Sequence, residues 1–553
     1  MKKINYLICV LLSITVMFVT ACAGDGAGSQ SSETSEPVSA TPTEYKLEGQ
    51  SYAVEEDVSD NYRTFYEIFT CSFSDSNGDG VGDLRGIINR MDYLNDGDPN
   101  SGLSLGIEGI WLTPIFKSPT YHKYDVTDYY TIDPSFGTLD DLKDLIALCH
   151  ERNVKLIIDL PINHTSTNCE WFLKFRAAHV NADTASEYYN FYSYYTKGGT
   201  APSGSRRFNE LSGANLLYEC NFDGGMPEPD FDNQFVRDTF LDVAKYYLEL
   251  GLDGFRFDAA KYIYYGENAK SAEFWDWYIG ELKKVKSDVY TVSEVWDGDQ
   301  VTYPYFKSGN CFDFTSDGPD GVFADAAQKG DVNTMTRYIA GYLKNIKAKN
   351  PDAMMVPFLS NHDTDRSIGY LFGEGYVNMA ANLYLLSTGS PFIYYGEEVG
   401  MRGSRGSDTT DANIRLAMRW GDGDTVANPE GATYKDSAQT SPVVAEQILD
   451  ENSLYNYYKR LIAIRKANPE IARGEYVAMS FSGVKASGFK ATYNGSTVYV
   501  LHNTSGSAVT LDLSAYADKT DFVIRAAIGY GENTVMFDGA KITIASQTSV
   551  VLK

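Results

Sequence analysis

At 553 residues the chain has room for a barrel of the (β/α)8 size with appendages, or for two to four smaller domains. Its apolar fraction of 43% and charged fraction of 22% are those of a folded soluble protein. A formal net charge of −27 repels phosphate backbones and argues against nucleic acid as a partner, while leaving room for a neutral substrate and bound divalent cations.

Lys2 and Lys3 open the chain, an apolar run follows from Ile4 to Val19, and Val19-Thr20-Ala21-Cys22 comes next. This resembles a bacterial lipoprotein signal, residues 1–21, cleaved before a lipid-modified Cys22. Residues 22–50, rich in Gly, Ser, Thr, Glu and Pro, read as a disordered tether. No other segment is long and apolar enough to span a bilayer. The folded body is therefore expected on the extracellular face of the membrane, held there by lipid. Once Cys9 leaves with the signal and Cys22 carries lipid, Cys71, Cys149, Cys169, Cys220 and Cys311 remain, an odd number that argues against a full disulfide framework. Cys169 and Cys220 flank one insertion, where either a bridge or two free thiols would fit.

Short apolar runs bounded by turn residues recur along the body at Phe65–Phe69, Gly109–Thr113, Lys155–Asp159, Gly254–Asp258, Tyr290–Glu294, Cys311–Phe314, Met355–Ser360 and Pro391–Tyr395. Amphipathic stretches such as Leu139–Arg152 and Asn233–Leu250 lie between them. Eight buried strands alternating with helices predict a parallel (β/α)8 barrel of the α/β class, over residues 51–160 and 231–467. A doubly wound sheet would need a phosphate-type glycine loop after its first strand, and there is none. Residues 161–230 carry Asn, Tyr, Gly and Ser with little helical period and read as an inserted subdomain. From residue 468 to 553, short alternating runs such as Val498–Leu501 and Lys541–Ile544 predict a C-terminal antiparallel β-sandwich.

Four acidic residues end strand-like runs: Asp159 in VKLIIDLPINH, Asp258 in GFRFDAAKY, Glu294 in VYTVSEVWD and Asp363 in VPFLSNHDTDR. Carboxylates converging on one rim repel and desolvate each other, which stabilises nothing. The same arrangement cleaves a glycosidic bond, one carboxylate attacking while another protonates the leaving oxygen. The segments DLPINH, GFRFDAAKY, SEVWD and FLSNHD, in this order, resemble the four signature regions of the α-amylase family of glycoside hydrolases, family 13, over roughly Tyr62 to the C-terminus. The resemblance implies a barrel with an insertion after strand three and a C-terminal β-sandwich. It implies Asp258 as nucleophile, Glu294 as general acid/base and Asp363 as the carboxylate that orients and distorts the sugar. Arg256, on the same strand face as Asp258, is placed to keep the nucleophile ionised. A weakly polar surrounding, Trp296 included, should hold Glu294 protonated. A separation of about 5–5.5 Å between the two carboxyls would give a covalent intermediate and retained configuration. Asp159, His164, His362 and Arg366 are expected to bind the sugar, Tyr124 to stack on it, and Asp125 to bind hydroxyls on its non-reducing side.

Asp75, Asn77, Asp79, the Val81 carbonyl and Asp83 offer oxygens at alternate positions around permissive glycines, a pattern suited to Ca2+ that resembles the calcium loop of oligo-1,6-glucosidase-like members of the family. The closing Glu of an EF-hand is missing, and Asn163 matches a second calcium ligand of the family. Ala259 leaves room for α-1,4-linked chains, and Lys261 matches the residue that grips the reducing-side sugar in α-amylases. Tyr262 departs from the usual His, and Glu228-Pro229-Asp230-Phe231-Asp232 departs from the family's fifth region. The expected function is hydrolysis of α-1,4 bonds in starch and maltooligosaccharides. Alternatives are a 4-α-glucanotransferase, a cyclomaltodextrinase or neopullulanase-type enzyme, a starch-binding lipoprotein without catalysis, and a solute-binding lipoprotein.

Overall fold

A computed structural model describes residues 60–553 apart from positions 203, 409, 518, 519 and 532. The expected signal, Cys22 and the tether lie outside the described residues. Among these residues no helix is long and apolar enough to cross a membrane.

Seven strands form one parallel sheet in the spatial order Asn310–Cys311, Tyr290–Ser293, Gly254–Phe257, Lys155–Leu160, Gly109–Leu112, Phe65–Ile68 and Phe392–Tyr394. The expected run Met355–Ser360 closes the ring as an eighth, irregular stave. Asp313 N donates to Val356 O on one side, while Ser390 N and Phe392 N donate to Met355 O and Pro357 O on the other. Pro357 has no N–H to give, so a regular ladder does not form there. The sheet is a (β/α)8 barrel. Apart from the half-buried Asn310, its regular strands are buried along their whole length because both faces are covered, which explains their unbroken apolar runs. Inward side chains Phe65, Trp111, Ile157, Tyr290, Val292, Phe312, Val356, Phe358 and Phe392 fill the barrel as one cluster. Gly109 is needed here: a Cβ on it would lie 2.4 Å from the Phe65 ring.

Helix Leu139–Glu151 begins at a capping box between Thr138 and Asp141 and buries Leu142, Leu145, Ile146 and Cys149, one stripe at helical spacing. Helix Gln234–Glu249 is capped by Asn233, whose side chain accepts from Phe235 N at 3.0 Å.

The insertion holds a small three-stranded sheet, Tyr194–Thr196, Phe208–Glu210 and Leu216–Glu219, and also a helix, Glu170–Val180, that its weak periodicity hid. That helix buries Phe172, Phe175 and Ala178, and Trp171 stacks on Tyr129 with centroids 5.4 Å apart. Cys169 and Cys220 are buried free thiols, as are Cys71, Cys149 and Cys311.

At the C-terminus a five-stranded and a three-stranded antiparallel sheet enclose Met479, Leu501, Leu511, Ile542 and Val550.

Candidate active site

The parallel register decides the geometry of the site. Phe257 of the fourth strand pairs with Ser293 of the fifth, so Asp258 and Glu294, one residue further along each, stand level at the C-terminal rim. Glu294 N donates to Phe257 O at 2.9 Å and Ala260 N donates to Glu294 O at 2.9 Å, which carries the ladder past both acids. Neighbouring strands lie about 4.7–4.9 Å apart, so the two carboxyls start from adjacent backbones.

Arg256 lies two residues before Asp258 on the same inward face and is fully buried. Its Nη1 is 2.7 Å from Asp258 Oδ1 and 2.8 Å from Asp159 Oδ2, and its Nη2 is 2.9 Å from Glu294 Oε2. One rigid guanidinium fork therefore holds three carboxylates, a geometry that Lys could not supply. Ala259 adopts a left-handed backbone, φ 41°, which turns its N–H onto Glu294 Oε2 at 2.7 Å. Such a conformation costs a non-glycine residue about 1–2 kcal/mol.

The two acids are tuned together. Burial raises the Asp258 carboxyl and wins over Arg256, and the nearby Asp363 adds to the rise. Arg256, expected to keep the nucleophile ionised, does lower its pKa but against a larger desolvation. Burial also raises Glu294, against Arg256 and with Asp258 and Asp363 contributing. Trp296 lines the same cavity as Glu294, is 44% exposed and stacks on Phe314 with centroids 5.0 Å apart. Asp363 is held well below the usual carboxylate range, because His362 and Arg415 outweigh its burial. His362 Nε2 is 3.0 Å from Asp363 Oδ2, and Arg415 Nη2 is 2.7 Å from Asp363 Oδ1.

His362 is the hub of a buried layer under the cleft. Its Nδ1 is 2.5 Å from Glu67 Oε1 and its Nε2 is 2.6 Å from the Tyr124 hydroxyl, which in turn donates to Asp159 Oδ2 at 2.9 Å. Burial lowers the imidazole, but Asp363 and Glu67 prevail and push it up to about 10. The ring is therefore a cation at neutral pH, with both N–H groups donating.

Above this layer is a cavity of 550 Å³ whose walls include Tyr124, His164, Asp258, Lys261, Glu294 and Asp363. Asp159, Arg256 and His362, read from the sequence as sugar-binding groups, lie beneath it and orient the groups that face it. Two expectations are corrected. Asp125 is buried in its own loop, where it accepts from Ser118 Oγ at 2.6 Å and from Thr120 Oγ1, and it is not part of the cavity wall. Arg366 points away, donating to Ile414 O and Tyr395 O at 3.0 and 2.6 Å. Two arginines that the sequence reading missed, Arg405 and Arg415, line the cleft, and Arg415 Nε also donates to His362 O at 2.8 Å. Glu67 was missed as well, although its alternation with Phe65 and Phe69 places a charge on the inward face of a buried strand. The insertion supplies Phe222, Asp223 and Met226 to one wall, beside Tyr262. Lys261 is anchored by Trp296 O at 2.7 Å and Asp297 Oδ2 at 3.1 Å.

Asn163 lies against the nucleophile. With its amide nitrogen turned to Asp258, it donates to Oδ2 at 3.3 Å and to the Asp258 carbonyl at 3.2 Å, and its oxygen accepts from His164 Nδ1 at 2.9 Å. In this orientation both ends of its amide are engaged, one by Asp258 and the other by His164. In the Asp75–Asp83 loop, Asp75 Oδ1 accepts from Asn77 N and Gly78 N, and its Oδ2 accepts from Gly80 N and Thr425 Oγ1. Asp83 caps the following helix through Gly86 N at 2.6 Å and also accepts from Ser76. Among the described residues no group of three or more His, Cys, Asp or Glu side chains is already arranged to hold a metal ion.

Residues 67–474 match the model of the alpha-amylase catalytic domain. Alpha-amylase 3 of Dictyoglomus thermophilum is 34% identical over 453 residues, covering 79% of this chain and 84% of that protein. An oligo-1,6-glucosidase of Bacillus cereus is 27% identical over 530 residues, covering 81% and 91%. The solved structure of Eubacterium rectale Amy13B superposes with a TM-score of 0.81 at 32% identity, covering 90% of this chain and 96% of that one. With four signature segments meeting on one barrel rim, the chain belongs to the alpha-amylase family and is a glycoside hydrolase of family 13.

Proposed function

We propose that the protein hydrolyses α-1,4-glucosidic bonds of starch and maltooligosaccharides with retention of configuration. The observation that carries this reading is the level placement of Asp258 and Glu294 on adjacent strands, bridged by the Arg256 fork. In the first half-reaction an Asp258 oxygen attacks the anomeric carbon while the bond to the leaving oxygen breaks and Glu294 delivers its proton there. In the second, Glu294 takes a proton from water, whose oxygen displaces Asp258 and restores both groups. Asp363, kept ionised by His362 and Arg415, accepts hydrogen bonds from sugar hydroxyls. Tyr124 and His164 line the subsite where that ring sits, and the small Ala259 beside Lys261 favours an unbranched α-1,4 chain. Resolving products of amylose, pullulan and maltotriose over time tests the reading. Shorter maltooligosaccharides from amylose with pullulan intact are expected. Products longer than the maltotriose supplied would indicate a glucanotransferase instead, and extensive pullulan cleavage a neopullulanase-type enzyme.

The all-oxygen donor set of Asp75, Asn77, Asp79, the Val81 carbonyl and Asp83 fits a hard cation, and we assign Ca2+ to it. Binding would draw these side chains from their present loop hydrogen bonds toward one point and stiffen the entry to the first barrel helix. EDTA is expected to lower the melting temperature by several degrees, with recovery on adding excess calcium. An unchanged melting curve would remove the metal. Lipid attachment at Cys22 on the outer face of the cell membrane completes the proposal. Cys22→Ala should move the protein from the membrane fraction to the medium, and continued anchoring would overturn it.

A further inference from the structure

A second cavity, of 530 Å³, lies apart from the catalytic residues where the loop before helix Tyr376–Leu385 meets the C-terminal sheets. Tyr530 forms one wall, and the same side chain borders an adjoining cavity of 340 Å³. Ser546 also lines both, so the two cavities share part of their lining.

Tyr530 is 45% exposed yet held in place. Its hydroxyl donates to Glu374 Oε1 at 2.9 Å, and the loop backbone closes on its base. Gly375 has a φ of +78, a conformation that favours glycine, and a Cβ there would crowd Tyr530 Cβ at 3.1 Å. Gly373, at φ +135, likewise makes room for the Tyr376 ring. Phe372, on the same loop, is 71% exposed. A fixed aromatic face loses little freedom on binding, which is what distinguishes a binding platform from an incidental surface tyrosine.

The far wall carries an unsatisfied polar group. Gln547 is buried, its Nε2 is held only by a long 3.4 Å contact to Thr504 O, and its Oε1 has no partner. A buried amide oxygen without a donor costs roughly 1–3 kcal/mol, and a small rotation of this loosely held amide would offer it to a hydroxyl in the cavity. Lys485 and Glu374 add one charge of each sign, so the lining favours a neutral polyhydroxyl ligand over an ion.

We propose that this groove binds a length of α-glucan, with Tyr530 stacking on the apolar face of a glucose ring and Gln547, Glu374 and Lys485 engaging its hydroxyls. The identity of the ligand rests on the function proposed above. Glu374 lies eleven residues beyond Asp363, so the two sites are at most about 40 Å apart along the chain. One polymer held at both would raise the effective concentration of substrate in the cleft, an advantage that a short oligosaccharide cannot share.

The test titrates the Glu294→Gln protein with maltoheptaose by calorimetry, with and without Tyr530→Ala. Two sites are expected in the parent and one after Tyr530→Ala, while Tyr530→Phe keeps both. In the active protein, Tyr530→Ala should raise KM on long amylose or granular starch several-fold, leaving kcat and maltotriose hydrolysis unchanged. A single site in the parent, or starch kinetics indifferent to Tyr530→Ala at an unchanged melting temperature, overturns the groove while leaving the catalytic reading intact. If the unsubstituted protein does not cleave starch, it is the catalytic reading that falls.

Discussion

Replacing Glu294 by Gln is expected to lower kcat/KM on soluble starch by about 10²–10⁴-fold, with the fold and melting temperature retained. Gln keeps the volume and can still accept from Ala259 N, but it has no proton to deliver to the leaving oxygen. The pH profile carries the sharper signature. Glu294 acts as an acid only while protonated, and burial raises its pKa, so activity should persist above the ordinary glutamate range and fall as pH rises through the raised value. Asp258 must be ionised, so activity should also fall as pH drops through its own raised value. Neighbouring carboxyls titrate as a pair, and the two limbs are macroscopic constants. In the Gln variant the alkaline limb should vanish while the acidic limb stays. An activated substrate with a good leaving group, which needs no proton, should recover much of the first step. Wild-type rates with the Gln variant on starch, or an alkaline limb that survives the substitution, would remove Glu294 from the role of acid.

Why the strand ends were legible while parts of the site were not comes down to the range of each contact. Asp258, Glu294 and Asp363 terminate short apolar runs, so period and turn residues alone put them on one rim. Arg256 is two residues from Asp258, a spacing that fixes its face. Arg415 could not be found in this way. It reaches Asp363 from 52 positions away, out of the loop after the last strand, and no local pattern marks it among neighbouring arginines. Arg366 lies close to Asp363 in sequence, yet its side chain goes to the carbonyls of Ile414 and Tyr395. Asp125 follows the same logic: adjacent to Tyr124, it faces the other way and ties its loop to Ser118. The eighth stave was legible as an apolar run, but its irregularity depends on Pro357 having no donor. The insertion helix escaped because, although Phe172, Phe175 and Ala178 are buried on one side, Leu173 and Val180 put apolar residues on the exposed side and blur a 3.6-residue stripe.

Arg256→Met should cost about 3–5 kcal/mol of stability and abolish measurable turnover. The substitution keeps a long side chain in the barrel, so cavity formation is limited and the effect isolates the charge. Three buried carboxylates, Asp159, Asp258 and Glu294, would lose their common cation. Each would then ionise less readily. Since Arg256 is the largest influence holding the Asp258 carboxyl down against burial, its removal raises that pKa further, and the acidic limb of any residual activity moves to higher pH. Arg256→Lys separates charge from shape. A single ammonium can approach one or two of the acids but cannot place separate nitrogens against Asp258 and Glu294, so stability should recover in part and turnover much less. Urea denaturation and pH–rate profiles of both variants provide the measurement. A Met variant as stable as the parent, with an unmoved acidic limb, would mean that the carboxylates do not depend on the fork, and the alignment of nucleophile and acid would need another cause.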